Sequence, residues 1–433
     1  MEGRPMAPVG DPAAQAATAD GAAAELGAGG GDVRDGTGRD AVGGTVPRWV
    51  VTPPDAGACA AAIAAAARLG LAVVPRGAGT KIDWGAPPHR CDVLLDTSAL
   101  DAVEHAAGDL IATAGAGTPL ARLASELAGA GQRLPVDEVV PGSTVGGAVA
   151  AGLSGPGRLL HGRLRDLIIG MEFVRADGVT ARSGGRVVKN VAGYDLAKLH
   201  TGALGTLGVV TSVTFRLRPV PAAVRVVSAT APDPAGARAR AAAVAASPVV
   251  PAAIELDAPV GGPLRLHVLL EGSAEGIDAR AERTAGLLRA DNVADALPPG
   301  WGALPGAPGD TLLKAALPPA RLAEVLGVLA EGARDAGLPL PVRGSAGSGV
   351  LFAAVPAGAG AEAAAALIGA LRSALPRATG GHGSLTVPHA APALHRHGVD
   401  PWGEVPGLPL MRAVKDAFDP HRVLSPGRFA GGI

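Results

Sequence analysis

Aromatic residues are scarce in this chain: five Phe, four Trp and a single Tyr among 433 residues. So few rings leave no stacking platform for single-stranded nucleic acid. Only two cysteines are present, Cys59 and Cys91. That is too few for a disulfide framework, a four-thiolate iron–sulfur cluster or a cysteine-rich zinc site, and a reducing cytoplasm is the expected setting. Charges nearly cancel, at a formal net −1, which removes any global attraction to nucleic acid or anionic membrane. No run supplies the roughly 18 apolar, charge-poor residues of a membrane span, so membrane association is expected only through a partner. The start, "MEGRPMAPVGDPAAQAATADG", carries early acids and prolines without an apolar core, and reads as no signal peptide.

What is present is small and aliphatic. Hydrophobic residues make up 48% and charged residues 18%, the balance of a globular chain long enough for more than one domain. Residues 1–46 are Gly/Ala-rich without periodicity and are expected to be a disordered tail. From 47 to 221 the pattern predicts a first domain. Asp55 caps an alanine-rich helix that stops at Gly70, and "LAVVPRG" follows as a buried strand. Thr118, before Pro119, is expected to cap the next helix. "LIIGMEFVRADGVTARSGG" predicts a hairpin turning at Asp177-Gly178, and "GVVTSVTFRLRP" alternates, with Val213, Phe215 and Leu217 on one face. Residues 222–405 interleave short strands with helical runs, the texture of an α+β domain on an antiparallel sheet. Residues 406–433 are expected to return to the first domain.

Three glycine-rich loops precede the change of texture near 222. In "VVPRGAGT" a strand runs into Pro75, Arg76, Gly77, Ala78, Gly79 and Thr80. Consecutive small residues there let successive backbone N–H groups face one concavity, a nest for an anion such as a diphosphate. The loop is neither a P-loop nor a Rossmann fingerprint, since it lacks Gly-Lys-Ser/Thr and the third glycine; alone, such a loop is more often a mere turn. In "PGSTVGGAVAAGLSGP" Ser143 or Thr144 can cap a short helix from Val145 whose amides would face the same anion. Gly146 and Gly147 inside that helix suggest that a flat group, or another backbone, must approach closely. In "KNVAGYDLAKLHTGALGTLG" Asp195 caps a short helix, and Gly202, Gly205 and Gly208 clear the start of the alternating strand. Tyr194 reads either as a core aromatic or as a ligand contact.

The order of these loops with "RDLIIGMEFVRADG" and "GTLGVVTSVTFRLRP" resembles the PCMH-type FAD-binding fold of the vanillyl-alcohol oxidase superfamily. "VVKNVAGYDLAKL" and "RATGGHGSLTV" look most like the FAD-binding E-type subunits of bacterial glycolate oxidase. The fold class so implied is α+β: a two-subdomain FAD-binding domain followed by an α+β cap domain with an antiparallel sheet. The resemblance implies that Arg76 to Thr80, with Pro75, wrap the FAD diphosphate. It implies further that Pro141, Gly142, Ser143, Thr144, Gly146, Gly147 and Ser154 run beside the diphosphate and flavin, and that Gly205, Thr206, Gly208 and Val209 lie near the adenine half. Lys189 and Asn190 belong to the same segment.

Two departures from the family pattern matter. Members with covalent flavin place His where Thr80 stands, so non-covalent, dissociable FAD is expected. Asn commonly precedes Pro-Gly-Arg where Ser425 stands, which leaves a hydroxyl without an amide fork. Oxidising a 2-hydroxy acid such as glycolate to glyoxylate needs a cation for the carboxylate and a base or metal for the hydroxyl. His382 is the candidate base, and Arg428 and Arg377 are the candidate carboxylate binders. His389, His395 and His397 lack metal spacing, and no metal is expected. The partners implied are a small 2-hydroxy acid, a second FAD-binding subunit and an iron–sulfur subunit. One alternative stays open: a subunit that holds FAD and relays electrons without a substrate site of its own.

Overall fold

Two parallel strand pairs organise the first unit of the computed structural model, which describes residues 12–185 and 194–433. Strands Trp49–Thr52 and Val73–Arg76 both run parallel to Val93–Asp96, which lies between them. The crossover between the first two is the helix Ala56–Arg68. Asp55 caps it by accepting from the Ala58 amide at 2.8 Å, and Cys59, Ala62, Ile63 and Ala66 are its buried face. Small side chains let this helix lie close to the sheet. The carboxyl ends of these strands, at Arg76 and Asp96, open onto the first glycine-rich loop, the usual place for a ligand in an open α/β layer.

A five-stranded antiparallel sheet follows, in the order Val103–Ala106, Ile111–Gly115, Val209–Arg216, Ile168–Val174, Thr180–Gly184. The expected hairpin turns at Gly178, whose φ is +80°. Val213, Phe215 and Leu217 are buried with Leu123, Leu127, Val149 and Phe173 in one core, as the alternation predicted. The second unit is an eight-stranded antiparallel sheet with Val342–Ser345, Val350–Val355, Thr311–Ala316 and Ser384–His389 side by side at one end. Helices Pro234–Ala245, Ile277–Leu288, Leu322–Ala336 and Ala361–Thr379 supply Ala237, Ile277, Val325 and Leu371 to its main core. Glu255, Lys314 and Phe352 face clefts shared with the first unit. After helix Leu408–Phe418 the chain returns to the first unit, where Val73 donates to Val423 O (2.7 Å) and Ser425 donates to Val73 O (2.8 Å).

Three expectations need correction here. The segment expected to be a disordered tail is ordered over its described part: helix Pro12–Gly27 precedes strand Asp32–Asp35, which pairs antiparallel with Trp49–Thr52. Leu26, Val42 and Asp40 are buried. Too few apolar residues occur there to give a periodic pattern, yet Leu26, Val33 and Val42 pack against cores built by the rest of the chain. Thr118 does not cap its helix; Pro119 holds the N-cap position, and the buried Thr118 hydroxyl has no hydrogen-bond partner. Tyr194 is 89% exposed and is no core aromatic. Lys189 and Asn190 lie outside the described residues.

Candidate functional site

Strand Val73–Arg76 delivers the first loop. The backbone amides of Gly77, Ala78, Gly79 and Thr80 have no acceptor among the described residues, so four successive donors line one wall. The Arg76 side chain turns away from them, to Asp96 at 2.7 Å and Asp40 at 3.1 Å. Its carbonyl is held by the amide of Thr97 at 2.8 Å and the hydroxyl of Thr97 at 3.1 Å. The loop's rigidity is therefore external to it. Gly77 is required sterically: a Cβ there would fall 2.2 Å from Thr144 Oγ1. Thr144 caps helix Val145–Ala151 through the Gly147 amide at 3.2 Å. The third loop closes the ring at Gly205, where a Cβ would meet Pro75 Cγ at 2.5 Å and φ is +73°.

Together they line one cleft. Pro75, Arg76, Gly77, Ala78, Gly79, Thr80, Thr144, Gly146, Gly147, Gly205, Gly208 and Val209 all line it. The other sequence candidates do not. Pro141 faces an outer groove beside Thr80, and Gly142 backs onto the Thr80 methyl. Ser143 donates to Val140 O and accepts from Lys81 Nζ, both at 2.5 Å. Thr206 is buried beneath the cleft, its hydroxyl on Ala203 O at 2.7 Å. Ser154 accepts from the Leu164 amide at 3.1 Å and lines a neighbouring cleft instead.

Both catalytic candidates need revision. His382 is exposed in the turn before strand Ser384–His389 and lines none of the clefts described here. That strand brings His389, seven residues on, to Trp84, which leaves His382 at the far end. Arg428 does line the cleft, but its Nη2 donates to the carbonyls of Ile82 and Trp84 (the latter at 2.7 Å), which ties it to the first loop. Burial pulls its guanidinium down to about 10, and its Nε is buried without a partner. Arg377 lies in the last turn of helix Ala361–Thr379, away from the cleft.

Several lining residues escaped the sequence reading. Lys81 follows the loop directly, and burial brings its ammonium down to about 8 against the opposing pull of Glu138. A lysine abutting four free amides was a readable signal. His200 was not, because its place in the cleft depends on packing against Phe173, 4.1 Å between ring centroids. Burial lowers His200 to about 4, so it is neutral, and its Nε2 has no partner. Ser425, which the sequence singled out, does not line the cleft: with φ of +43° it is buried behind Gly205, its hydroxyl unpartnered among the described residues.

This donor set suits a dinucleotide. Free amides beside Lys81 answer a diphosphate, and the orphaned His200 Nε2 is a polar group that a bound ligand would satisfy. The comparisons with known proteins agree. Residues 47–184 match the FAD-binding domain family, and residues 281–429 match the C-terminal domain of FAD-linked oxidases. The chain is a PCMH-type FAD-binding flavoprotein.

Among the flavoprotein's curated relatives is the glycolate oxidase subunit GlcE of Escherichia coli, 44% identical over 117 residues, covering 27% of this chain and 33% of the relative. Another is a D-lactate dehydrogenase of Archaeoglobus fulgidus, 34% identical over 170 residues, 39% of this chain and 38% of that one. The glycolate oxidase subunit GlcD of Bacillus subtilis is 30% identical over 218 residues, 50% of this chain and 46% of the relative. The chain thus spans less than half the length of each. A solved alkyldihydroxyacetonephosphate synthase shares the fold, with TM-score 0.64 at 18% identity over 88% of this chain and 76% of that one.

A second cleft adjoins the first and shares Ala151 and Leu204 with it. Lys314, Arg163 and Arg165 line it with Trp84, Thr386 and Trp402. Among the described residues no Asp, Glu or His lines it. Lys314 has no ion-pair partner among the described residues, whereas Arg165 lies 3.8 Å from an Asp166 carboxylate oxygen. No helix of the described residues is long and apolar enough to cross a membrane.

Proposed function

We propose that this chain oxidises a 2-hydroxy acid as an FAD-holding subunit of a glycolate oxidase-like complex, with electrons leaving through partner subunits. The observation that carries the reading is the cationic cleft opening from the FAD cleft. Oxidation to the 2-oxo acid removes two electrons and two protons from the substrate, and FAD supplies the acceptor when bound. Lys314, Arg163 and Arg165 would bind the carboxylate and turn the hydroxyl-bearing carbon toward the cofactor cleft. Trp84, Trp402 and Phe429 line that approach and would exclude water from it. The names of the relatives support both the substrate class and the complex. Cys59 and Cys91 are buried and free, so an iron–sulfur cluster would belong to a partner.

One observation favours a second reading, an electron-relay subunit: no carboxylate or imidazole among the described residues lines the second cleft to take the hydroxyl proton. Anaerobic addition of glycolate or D-lactate to the purified, FAD-loaded chain separates the two. Bleaching of the flavin absorbance by the chain alone supports oxidation, and bleaching only after a partner is added supports the relay. Acid precipitation should leave the yellow colour in solution, as non-covalent FAD requires.

A further inference from the structure

A third cleft lies between the two units and shares no residue with the FAD cleft. It meets the second cleft at Ser154 and Phe352. Strand Ala253–Ala258 of the second unit forms its floor. Alternation sends Ile254 and Leu256 into the helix-covered core and leaves Glu255 and Asp257 on the opposite face. Glu255 stands between His267 and Ser345 on the flanking strands, and Asp257 stands opposite Arg343. These neighbours are engaged elsewhere. Arg343 donates to Asp257 at 2.9 and 3.0 Å, His267 Nδ1 lies 2.8 Å from Ser228 Oγ, and Ser345 Oγ accepts from the Ser348 amide at 3.3 Å. Glu255 Oε1 is buried with no hydrogen-bond partner. Burial raises its carboxyl to about 8, although the Ser345 hydroxyl and the charge of Arg158 pull the other way. From the first unit, helix Arg158–His161 brings the Arg158 guanidinium to the same cleft. Its Nε donates to Gly155 O at 3.0 Å, and it forms no ion pair among the described residues. Asp137, its other acidic neighbour, accepts from the Gly157 amide at 2.9 Å. An acid and a base withdrawn from water, facing one cleft and unpaired, are costly unless a ligand answers both. The wall beside them is apolar, with Pro298, Trp301, Leu304 and Phe352.

We infer that this third cleft is a separate ligand site for an α-amino acid with an apolar side chain, its carboxylate on Arg158 and its ammonium on Glu255. A single carbon carrying both charges bridges two side chains that do not pair with each other. A carboxylate alone leaves Glu255 unanswered, and an amine alone leaves Arg158. The ligand's side chain covers the wall at Trp301 and Phe352. Arg158 and Glu255 belong to different units, so the ligand joins the units at a place apart from the cofactor. The arriving ammonium favours the ionised form of Glu255, and binding therefore releases a proton. The inference is independent of the oxidase reading.

The experiment uses the full FAD-loaded chain. Titration calorimetry at pH 7 compares L-leucine with 4-methylpentanoate and isopentylamine, each of which lacks one of its charged groups. L-Leucine is expected to bind at least about tenfold tighter than either. Repeating the titration in buffers of different ionisation enthalpy should show release of about one proton per ligand bound. Glu255→Gln is expected to abolish both the preference over 4-methylpentanoate and the proton release, with FAD content and the flavin spectrum unchanged. Arg158→Gln should remove the preference over isopentylamine. The inference is overturned if L-leucine fails to bind, binds no tighter than 4-methylpentanoate, or binds without releasing a proton. Should either variant fail to fold, the analogue series and the proton count on the unsubstituted chain still decide it.

Discussion

Lys415 and Asp419 are fully buried and 2.7 Å apart, and neither was noticeable in the sequence. The Lys415 ammonium also donates to Thr206 O at 2.7 Å and Leu424 O at 2.8 Å. The Asp419 carboxylate accepts from the amides of Val423 and Leu424, both at 2.8 Å. One pair thus fastens the third glycine-rich loop to the returning C-terminal segment. Removing one partner strands a buried charge, which costs about 3–5 kcal/mol. Asp419→Asn and Lys415→Met should each lower the unfolding free energy from urea titration by that order, and with it the midpoint, and the double variant should lose less than the sum. Unchanged midpoints would refute the fastening role.

Two other buried groups at this scale set opposing pH dependences. His200 is lowered from 6.5 to about 4 by burial, so only the unfolded chain takes up its proton between those values, and stability falls as pH drops from 6.5 toward 4. Glu255 is raised by burial from 4.5 to about 8. There the folded chain binds the extra proton, and stability falls as pH rises through that window. His200→Gln should flatten the acid limb of a Tm–pH profile, and Glu255→Gln the alkaline limb.

Among the elements, the N-terminal segment changes most in meaning. Asp40, in the turn after strand Asp32–Asp35, accepts from Arg34 and Thr37 as well as Arg76. The hydrogen bond from Arg34 leads in holding its carboxyl far below the ordinary range, although burial opposes it. Arg76 begins the first glycine-rich loop, so a segment outside the matched family domain, which starts at residue 47, steadies that loop. A chain beginning at residue 47 should keep its fold, melt several degrees lower and release FAD more readily in an ultrafiltration assay. Equal retention of FAD would show that Arg76 needs no such support.

At the scale of the whole molecule, the two units are clasped by Glu271. Arg133 Nη1 from the first unit donates to Glu271 Oε1 at 2.9 Å, Arg133 Nη2 to Oε2, and His161 Nε2 lies 3.1 Å from Oε2. Burial opposes ionisation there, yet the hydrogen bonds from His161 and Arg133 hold the Glu271 carboxyl at about 2. A depressed carboxyl contributes stability above its unfolded value of 4.5, and that contribution is lost as pH falls toward 2. Glu271→Gln should therefore lower the Tm at pH 7 and remove part of the acid loss between 4.5 and 2. A parallel downward shift at every pH would argue against the clasp.

How much was legible divides along the same line. The three loops, the Asp177-Gly178 hairpin and the alternating strand Val209–Arg216 are local patterns, in which glycine spacing and side-chain period state the backbone's shape directly. Strands Asn292–Ala294, Val342–Ser345 and Ser384–His389 were not read as strands, being short or set among Gly and Pro. His382 looked catalytic because "GGHGSL" resembles a site motif, while its distance from the cleft follows from the direction of one edge strand.

The sequence by itself determined where small residues line the loops, because consecutive glycine and alanine leave successive backbone amides uncovered. Tertiary structure alone decided which charges face the neighbouring cleft. Lys314 and Arg165 are 149 positions apart along the chain, and their shared field exists only because an antiparallel sheet is laid against the FAD-binding unit.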